Sequence, residues 1–283
     1  GIDTVYGTKN LDERCEKEIN VERPFEGNEI YVSANVETSG DGTLESPLKT
    51  LTEAVNLANS ADHPVSIYIL NGTYDDTNIT IANNLTISNY EGSEVTFDAN
   101  NEGWFLYSNN VNNNLTLIGL TFMNGVRYDS SDSTEGGVIK TEGHLDVINC
   151  TFINNYGGSG GAIQVKDNGA NIENSTFKYN RAEYNGAAIQ VYGGETNLIN
   201  NTFDNNTAKR QGGAVRVQGD LNIEDSTFEN NYAGTGNFAG YGGAVRITDG
   251  DLTVNNSEFI NNSAKFEGGA ISAGDDSQFS TNH

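Results

Sequence analysis

The chain has 283 residues with 39 acidic and 15 basic side chains, so its formal net charge is −24. Such an acidic surface argues against nucleic acid as a partner, because binding phosphates requires clustered lysine and arginine. The 33 glycines and the many asparagines argue against a helical bundle, and no apolar run approaches the ~18 residues of a membrane span, which argues against membrane insertion of this segment.

The N-terminal part differs from the rest of the chain. Residues 1–29 are acidic and poorly patterned, and we interpret them as an arm. Residues 30–283 form a single domain whose first feature is a helix predicted at about residues 46–60, with Ser46 as N-cap and Pro47 as first helical residue. Its apolar side chains recur at helical spacing, at Leu48, Leu51, Val55 and Ala58. Such a helix would cover an open sheet end.

From about residue 65 onward an internal repeat organises the sequence. A block of small residues recurs every 24 to 30 residues, at Gly136-Gly137-Val138, Gly160-Gly161-Ala162, Gly186-Ala187-Ala188, Gly212-Gly213-Ala214, Gly242-Gly243-Ala244 and Gly268-Gly269-Ala270. A phenylalanine recurs at a similar interval, at Phe97, Phe122, Phe152, Phe177, Phe203, Phe228 and Phe259. Because two separate anchors share one period, the chain repeats one structural unit.

Each repeat contains three short segments in which apolar and polar residues alternate. In one repeat they cover residues 162–165, 170–173 and 175–177, with Ile163 and Phe177 among the side chains that would point inward. Strands this short cannot bury an apolar face within one repeat, whereas stacked repeats share a continuous core. The pattern predicts an all-β parallel β-helix, a solenoid with three strands per coil and one N-terminal capping helix.

Asparagine pairs follow the repeated phenylalanine and would occupy corners between strands. They are Asn154-Asn155, Asn205-Asn206, Asn230-Asn231 and Asn261-Asn262. Asparagine tolerates left-handed backbone and hydrogen-bonds to an identical residue in a stacked chain segment. We therefore interpret these pairs as structural.

The two cysteines allow two interpretations. Cys150 occupies a position that later repeats fill with Ser175, Asn201, Ser226 and Ser257, which indicates a small residue at a tight corner. Alternatively, a disulfide between Cys15 and Cys150 would tie the N-terminal arm to the body of the domain.

Ten N-x-S/T sequons are candidate glycosylation sites, as in a secreted surface protein. They lie at Asn71, Asn78, Asn84, Asn114, Asn149, Asn174, Asn200, Asn205, Asn255 and Asn261. The alternative is that a repeat rich in asparagine, serine and threonine produces sequons through its composition alone.

Basic and amide side chains gather on the outward side of the strand that follows the glycine block. The candidate ligand-binding residues are Lys140, Gln164, Lys166, Gln190, Tyr192, Arg216, Gln218 and Arg246. They would line a shallow groove in which arginine and glutamine meet sugar hydroxyls or carboxylates, while Tyr184, Tyr192 or Tyr241 stacks on a sugar ring. The alternative is an ordinary solvated face, because stacked coils align whatever occupies the outward positions.

Two parts of the sequence resemble known β-helix proteins. The run Tyr31, Ser46-Pro47, Ile67-Tyr68-Ile69 and Asn71-Gly72-Thr73-Tyr74 resembles the N-terminal cap of right-handed parallel β-helix proteins of the pectate-lyase-like superfamily. The repeats, with Gly-Gly-Ala-(Ile/Val) and Ser-Thr-Phe-x-Asn-Asn, resemble those of adhesin-like surface proteins of methanogenic archaea and of polymorphic outer-membrane proteins of bacteria. This resemblance covers about residues 30–275 and implies a right-handed helix.

The same superfamily contains enzymes that cut acidic polysaccharides, which raises a catalytic alternative. The lyase pattern Arg-x-Pro-x-x-Arg does not occur, and the nearest match to a hydrolase pair, Asp275-Asp276, is missing its companion motifs. His63, His144 and His283 are scattered, so we predict no catalytic residue and no metal site. Acidic residues could hold Ca²⁺ between coils, but no ligand loop supports such a cofactor.

These features together predict a non-enzymatic, extracellular adhesin-like segment that binds a glycan or a surface protein of another cell. A polysaccharide lyase or glycoside hydrolase acting along the basic face is the first alternative, and a structural stalk is the second. The first residues of the sequence do not have the pattern of a signal peptide. Because the last repeat has no capping segment after it, we expect a fragment of a longer repeat protein.

Overall fold

The computed structural model describes residues 24–127, 136–274 and 277–282, so most of the predicted acidic arm lies outside the described residues. The described chain forms a right-handed parallel β-helix of about eight turns. Its strands fall into four sheets, in which each strand pairs in parallel with the equivalent strand of the neighbouring coil. The predicted all-β solenoid is therefore confirmed.

The elements are short and follow one another closely along the chain. The first part contains β1 Glu29–Val32, α1 Leu51–Ala58, β2 Val65–Ile69, β3 Gly72–Tyr74, β4 Ile79–Ile81, β5 Leu85–Asn89, β6 Val95–Asp98, β7 Leu106–Ser108, β8 Asn114–Ile118, β9 Leu120–Met123 and β10 Val126–Arg127. The next coils contain β11 Ile139–Thr141, β12 His144–Ile148, β13 Thr151–Ile153, β14 Tyr156–Gly157, β15 Ile163–Val165, β16 Ala170–Glu173, β17 Thr176–Lys178, β18 Arg181–Ala182, β19 Ile189–Val191, β20 Thr196–Ile199, β21 Thr202–Asp204 and β22 Thr207–Ala208. The last coils contain β23 Val215–Gln218, β24 Leu221–Glu224, β25 Thr227–Glu229, β26 Tyr232–Ala233, β27 Val245–Thr248, β28 Leu252–Asn255, β29 Glu258–Ile260, β30 Ser263–Ala264, β31 Ile271–Ala273 and β32 Phe279–Asn282.

Three long sheets form the sides of the helix. Sheet A has the order β1-β2-β5-β8-β12-β16-β20-β24-β28-β32, sheet B the order β3-β6-β9-β13-β17-β21-β25-β29, and sheet C the order β4-β7-β11-β15-β19-β23-β27-β31. One regular coil passes from sheet C through sheet A to sheet B. These are the three strands per coil that the alternating pattern predicts.

A fourth, narrow sheet completes each later coil. Sheet D stacks β10-β14-β18-β22-β26-β30, each of only two residues, at the corner between sheets B and C. Sequence analysis does not predict this sheet, because two residues are too few to show an alternating pattern. Arg181 belongs to this sheet, where it pairs with Tyr156 of the preceding coil.

Phenylalanine rings stack through the core along the helix axis. Six consecutive rings, Phe97, Phe122, Phe152, Phe177, Phe203 and Phe228, are almost completely buried. From Phe152 onward the ring centroids of neighbouring coils are 4.5 to 4.9 Å apart. Each such pair contributes about 0.5–1.5 kcal/mol beyond the burial of its area, so the repeated phenylalanine ties successive coils together.

The capping helix is present but shorter than predicted. It covers Leu51–Ala58 rather than 46–60, and its N-cap is Thr50 rather than Ser46. Thr50 and Glu53 form a capping box in which each side chain accepts from the other's backbone N–H at 3.2 Å. The prediction for Ser46 and Pro47 is wrong because the next residue, Leu48, is held beside β1 by a hydrogen bond of 2.9 Å to the Tyr31 carbonyl.

The buried side of α1 matches the predicted spacing. Leu51, Ala54, Val55 and Ala58 are buried, and the helix packs against β1, β2 and β4 at the first coils. The predicted cap is therefore confirmed as a cover for this end of the core. In the described part of the chain, no helix is long and apolar enough to cross a membrane.

The asparagine pairs occupy corners as predicted, and their two members have different roles. The first member is left-handed, with φ of 54° at Asn154 and 56° at Asn205. The second member is buried, or half-buried at Asn262, and connects neighbouring coils. Asn206, for example, accepts from the Asn180 backbone N–H at 3.0 Å and donates to the Phe177 carbonyl at 3.0 Å.

Cys150 begins a second column of small polar residues. Its backbone N–H donates to Ser175 Oγ at 3.1 Å, and the same contact continues through Ser175, Asn201, Ser226 and Ser257. This confirms the interpretation as a small residue at a corner. The Cys150 side chain is buried, and burial raises the pKa of its thiol to about 12. Cys15 lies outside the described residues, so the disulfide stays a prediction.

Candidate functional site

Sheet C presents the predicted ligand-binding residues on its outward side. The central residues of its strands pair in register and form one column: Thr80, Tyr107, Lys140, Gln164, Gln190, Arg216, Arg246 and Ser272. Residues two positions later form a second column: Lys166, Tyr192, Gln218 and Thr248. All eight predicted residues thus share one surface with a rise of about 4.8 Å per coil, here called the sheet C face.

The glycine block before each strand determines where this face begins. At Gly212 the backbone φ is +61°, and a Cβ atom would lie 2.2 Å from the Val215 carbonyl oxygen. Only glycine fits such a left-handed, crowded position. The turn lies directly against the base of the outward side chain, since that same Cβ would be 3.0 Å from the Cβ of Arg216.

Two of the predicted residues are not accessible at the surface. Gln164 and Gln190 lie in the outward column, yet both are fully buried. Gln164 Nε2 donates to the Ser159 carbonyl at 3.2 Å, and Gln190 Nε2 donates to the Val191 carbonyl at 3.0 Å. Their prediction as surface donors is wrong, because strand alternation gives the direction of a side chain but does not show what covers it. Glycine turns lie close to both side chains.

Cations and aromatic rings alternate along the rest of the face. Tyr192 lies between neighbouring coils that supply Lys166 Nζ at 4.5 Å and Arg216 Cζ at 5.9 Å from its ring centroid. Nearer the N-terminal end, Lys140 Nζ lies 4.8 Å from the centroid of Tyr107. Because cations already approach Tyr192 from both adjacent coils, its ring faces are poorly placed for the predicted stacking on a sugar.

Arg216 and Arg246 occupy adjacent coils, and their hydrogen-bond acceptors are all neutral. Arg216 Nη2 donates to Thr248 Oγ1 at 3.2 Å. Arg246 Nη1 donates to Ser272 Oγ and to the Ala273 carbonyl. No carboxylate of the described residues lies within 4.0 Å of either guanidinium. Burial lowers the pKa of Arg216 below its ordinary value and the charge of Arg246 adds to this, although Tyr192 and the Asp249 carboxylate act in the opposite direction.

An aromatic rim borders the sheet C face at the corner with sheet D. Arg210 Cζ lies 5.1 Å from the ring centroid of Tyr184 and 4.8 Å from that of Phe238. Tyr241 contacts Phe266 at a centroid distance of 5.3 Å and lies 5.5 Å from Arg246 Cζ. Phe238 and Phe266 are exposed. Sequence analysis missed both, although an alignment of the repeats at the glycine block places Tyr184, Arg210 and Phe266 at one equivalent position.

A second aromatic and basic cluster lies at the other end of the face. Arg127 is buried between Trp104 and Tyr107, with its Cζ 4.3 and 5.2 Å from their ring centroids. The Tyr107 hydroxyl donates to Glu142 Oε1 at 2.9 Å, and Lys140 Nζ lies 3.5 Å from the same oxygen. Lys140 is thus neutralised, unlike the two arginines further along.

A family model describing the right-handed β-helix region matches residues 135–283, just over half of the chain. The chain belongs to the right-handed β-helix family. This agrees with the handedness and stacking described above, and the matched part contains every predicted ligand-binding residue. A search of curated proteins finds no match to the chain.

In this right-handed β-helix protein, the described histidines His63 and His144 lie apart from the sheet C face. His63 Nδ1 lies 3.1 Å from Asp62 Oδ1 near the capping helix. His144 lies on sheet A, 3.2 Å from Asp146 Oδ1. His283 and the Asp275-Asp276 pair lie outside the described residues. In the described ranges no three histidine, cysteine, aspartate or glutamate side chains gather as a metal site.

A depression over sheet D is lined by the carboxylate of Glu183. Glu183 accepts a hydrogen bond of 2.8 Å from the Tyr156 hydroxyl and forms an ion pair with Lys209. Burial alone would raise the pKa of Glu183, but the contacts with Lys209 and Tyr156 outweigh it and lower the pKa. A carboxylate that stays ionised and paired suits a structural ion pair better than a general acid.

In the coils after residue 136, the candidate glycosylation sites of this β-helix protein lie away from the sheet C face. Nine of the ten sequon asparagines are exposed, and Asn255 is partly buried. Asn149, Asn174 and Asn200 follow sheet A strands at the corner with sheet B, whereas Asn205 and Asn261 follow sheet B strands. Asn200 Nδ2 donates to Asn174 Oδ1 at 2.7 Å, so neighbouring sequons contact each other. Glycosylation at these asparagines stays a prediction.

Proposed function

We propose that this β-helix is an extracellular, adhesin-like segment that mediates surface attachment by binding a glycan or a protein on another cell. Binding takes place on the sheet C face, without catalysis and without a cofactor. The observation that carries the proposal is the pair Arg216 and Arg246, two adjacent guanidinium groups that form no ion pair with a described carboxylate and hydrogen-bond only to neutral acceptors, on a chain of net charge −24.

The chemistry of the surrounding face supports a polar ligand. Thr248 and Ser272 hold the two guanidinium groups, and Gln218 donates to Asp249 at 2.9 Å beside them. The exposed rings of Phe238 and Phe266 offer apolar surface at the rim. Guanidinium and amide donors next to aromatic rings are suited to sugars and to polar protein surfaces.

The extracellular location is supported by where the sequons lie. Of the six sequons after residue 136, none is on the sheet C face or its rim. Glycans attached at the other sides would leave this face open to a partner, which agrees with a role in attachment at a cell surface.

A glycan array tests the proposal, with the wild type compared with Arg216→Ala/Arg246→Ala. Lys49→Ala/Lys178→Ala removes the same charge away from the face and serves as the matched control. We expect the first variant to lose binding and the control to keep it, with bound sugars intact by mass spectrometry. Equal binding by all three would exclude the sheet C face, and cleaved sugars would replace adhesion with a polysaccharide-active enzyme.

A further inference from the structure

A tyrosine takes the place of asparagine at one corner of the helix. The first corner residue after sheet B is Asn154 in one coil and Asn205 two coils later, but Tyr179 in the coil between them. We infer that the sequon at Asn205 carries an N-linked glycan and that the Tyr179 ring is the surface on which its first sugar packs. This inference rests on the extracellular location within the proposed function, but it does not depend on binding at the sheet C face.

Backbone hydrogen bonds show that Tyr179 occupies the same corner position as these asparagines. The N–H of Asn154 donates to the Lys178 carbonyl at 3.0 Å. In the same way, the N–H of Tyr179 donates to the Asp204 carbonyl at 3.1 Å. Each corner residue therefore bonds to the residue that precedes the corner in the next coil, and equivalent corner residues of neighbouring coils are about 4.8 Å apart.

Tyr179 has a backbone conformation that tyrosine rarely adopts. Its φ is 58°, in the left-handed region, close to the 56° of Asn205. Asparagine tolerates this region, whereas a bulky side chain there is strained. The ring is 53% exposed, and within the described residues its side chain forms no hydrogen bond or ring contact that would offset the strain. Such an unexplained strained residue is a reason to look for a function.

The neighbouring sequon supplies a partner for the ring. Tyr179 and Asn205 follow strands that pair in parallel and in register, and both side chains are exposed. Their Cα–Cβ bonds therefore point in similar directions from positions about 4.8 Å apart. Asn205 Nδ2 donates one hydrogen to Asp204 Oδ1 at 2.6 Å. The described hydrogen bonds do not use the second hydrogen, which is the one that a sugar replaces.

The modification needs an activated sugar, a glycosyl diphosphate ester. Asn205 Nδ2 bonds to the anomeric carbon of this sugar, the diphosphate group leaves with the electrons of the broken C–O bond, and the proton lost from Nδ2 passes to solvent. The linked sugar then lies beside the Tyr179 ring. Its C–H face packs against the ring and removes apolar surface of both from water, which is favourable. Tyrosine provides this surface with only two side-chain torsions to fix.

A second sequon at the same corner offers an internal comparison. Asn261 also has left-handed backbone, with φ of 51°, and begins the sequon Asn261-Asn262-Ser263. Its neighbour in the preceding coil is Asn230, whose N–H donates to the Ile260 carbonyl at 3.0 Å. A glycan at Asn261 therefore meets asparagine where a glycan at Asn205 meets tyrosine, and only the latter should respond to a substitution at Tyr179.

Mass spectrometry and thermal unfolding of the full chain test the inference. Peptide mapping of the protein isolated from the cells that produce it should find a glycan at Asn205. Tyr179→Asn is then measured with this sequon intact and with the sequon removed by Thr207→Val, which keeps Asn205. Without the glycan, Tyr179→Asn should raise the melting temperature by about 2–4 °C, because asparagine relieves the left-handed strain. With the glycan, this gain should disappear or become a loss, because the packing surface is removed.

Three controls separate ring packing from other effects. Tyr179→Phe keeps the ring and should match the wild type with and without the glycan. Ser263→Ala removes the Asn261 sequon and should leave the effect of Tyr179→Asn unchanged. Enzymatic deglycosylation of the folded protein gives the same comparison without any change at Thr207.

Two results would overturn the inference. One is an unoccupied Asn205 in the isolated protein, and the other is an equal effect of Tyr179→Asn in the glycosylated and unglycosylated forms. Neither result would remove binding at the sheet C face, because the glycan array with Arg216→Ala/Arg246→Ala tests that face separately. Conversely, a sheet C face that binds nothing would leave the glycan at Asn205 and its contact with Tyr179 in place.

Discussion

Asparagine has two different roles at consecutive positions of each corner. Asn205 adopts the left-handed conformation, which asparagine tolerates better than most residues. Asn206 is buried, and its amide satisfies the Asn180 N–H and the Phe177 carbonyl of the preceding coil. Side-chain amides thus pair backbone groups at the corner and at the strand beside it, which matters because unpaired buried polar groups are costly.

Replacing Asn206 by alanine should therefore destabilise the fold. The backbone N–H of Asn180 loses its acceptor and the carbonyl of Phe177 loses its donor, so we expect a loss of about 3 kcal/mol in the free energy of unfolding. Urea unfolding followed by circular dichroism measures it. Asn205→Gly is the matched control and should change stability little, because glycine also accepts left-handed backbone. Equal losses in the two variants would contradict this account.

At the scale of the element, the geometry of a turn determines where the outward side chains of the following strand lie. The glycine block turns the chain into sheet C, and the outward side chain then emerges beside the turn, as Arg216 does beside Gly212. Helix α1 shows the same dependence on local contacts. Thr50 and Glu53 close its first turn, and Asp76 from a later loop accepts from the Thr52 N–H at 3.0 Å.

Gly212→Ala should destabilise the entry into β23. A Cβ there would meet the Val215 carbonyl at 2.2 Å in addition to left-handed strain, so we expect a loss of more than about 2 kcal/mol. Gly236 is the control, since it has φ of +67° but a Cβ added there would meet no atom within 4 Å. Gly236→Ala should cost about 1 kcal/mol. Thermal unfolding compares them, and equal shifts in melting temperature would show that the contact does not matter.

At the scale of the whole molecule, stacking and charge oppose each other. Each coil contacts mainly its neighbours, so stability is close to a sum of coil and interface contributions. The phenylalanine stack and the two polar columns favour this stacking along the axis. A net charge of −24 opposes compaction through self-repulsion.

Raising the ionic strength should therefore stabilise the protein. From about 0.01 to 0.15 M salt the screening length falls from roughly 30 to 8 Å, and we expect the melting temperature to rise by several degrees. Sodium and potassium chloride should act alike, because screening depends on charge rather than ion type.

Calcium and magnesium chloride at equal ionic strength should also give equal shifts in melting temperature. A larger shift with calcium would instead reveal the Ca²⁺ site that the sequence left open, and a fall in melting temperature with sodium chloride would refute the role of screening.

The sequence repeat was enough to predict much of the candidate site. Once the glycine block is aligned, Lys140, Arg216 and Arg246 must share a column, because parallel in-register stacking repeats one position per coil. The repeat did not predict the burial of Gln190, since that burial depends on the glycine turn of the preceding coil, at Gly160. The repeat also did not predict the contact of Arg210 with Phe238, because Phe238 lies in a loop of irregular length.

The amino-acid sequence by itself determined the solenoid, its inward faces, its asparagine corners and the column of basic residues. This was possible because every coil repeats the same local pattern. Only the tertiary structure decided that the cap helix begins at Leu51, that a fourth sheet closes each later coil, and that two arginines lack acidic partners among the described residues. Those outcomes depend on contacts between coils, and contacts between side chains distant in sequence leave no periodic signal.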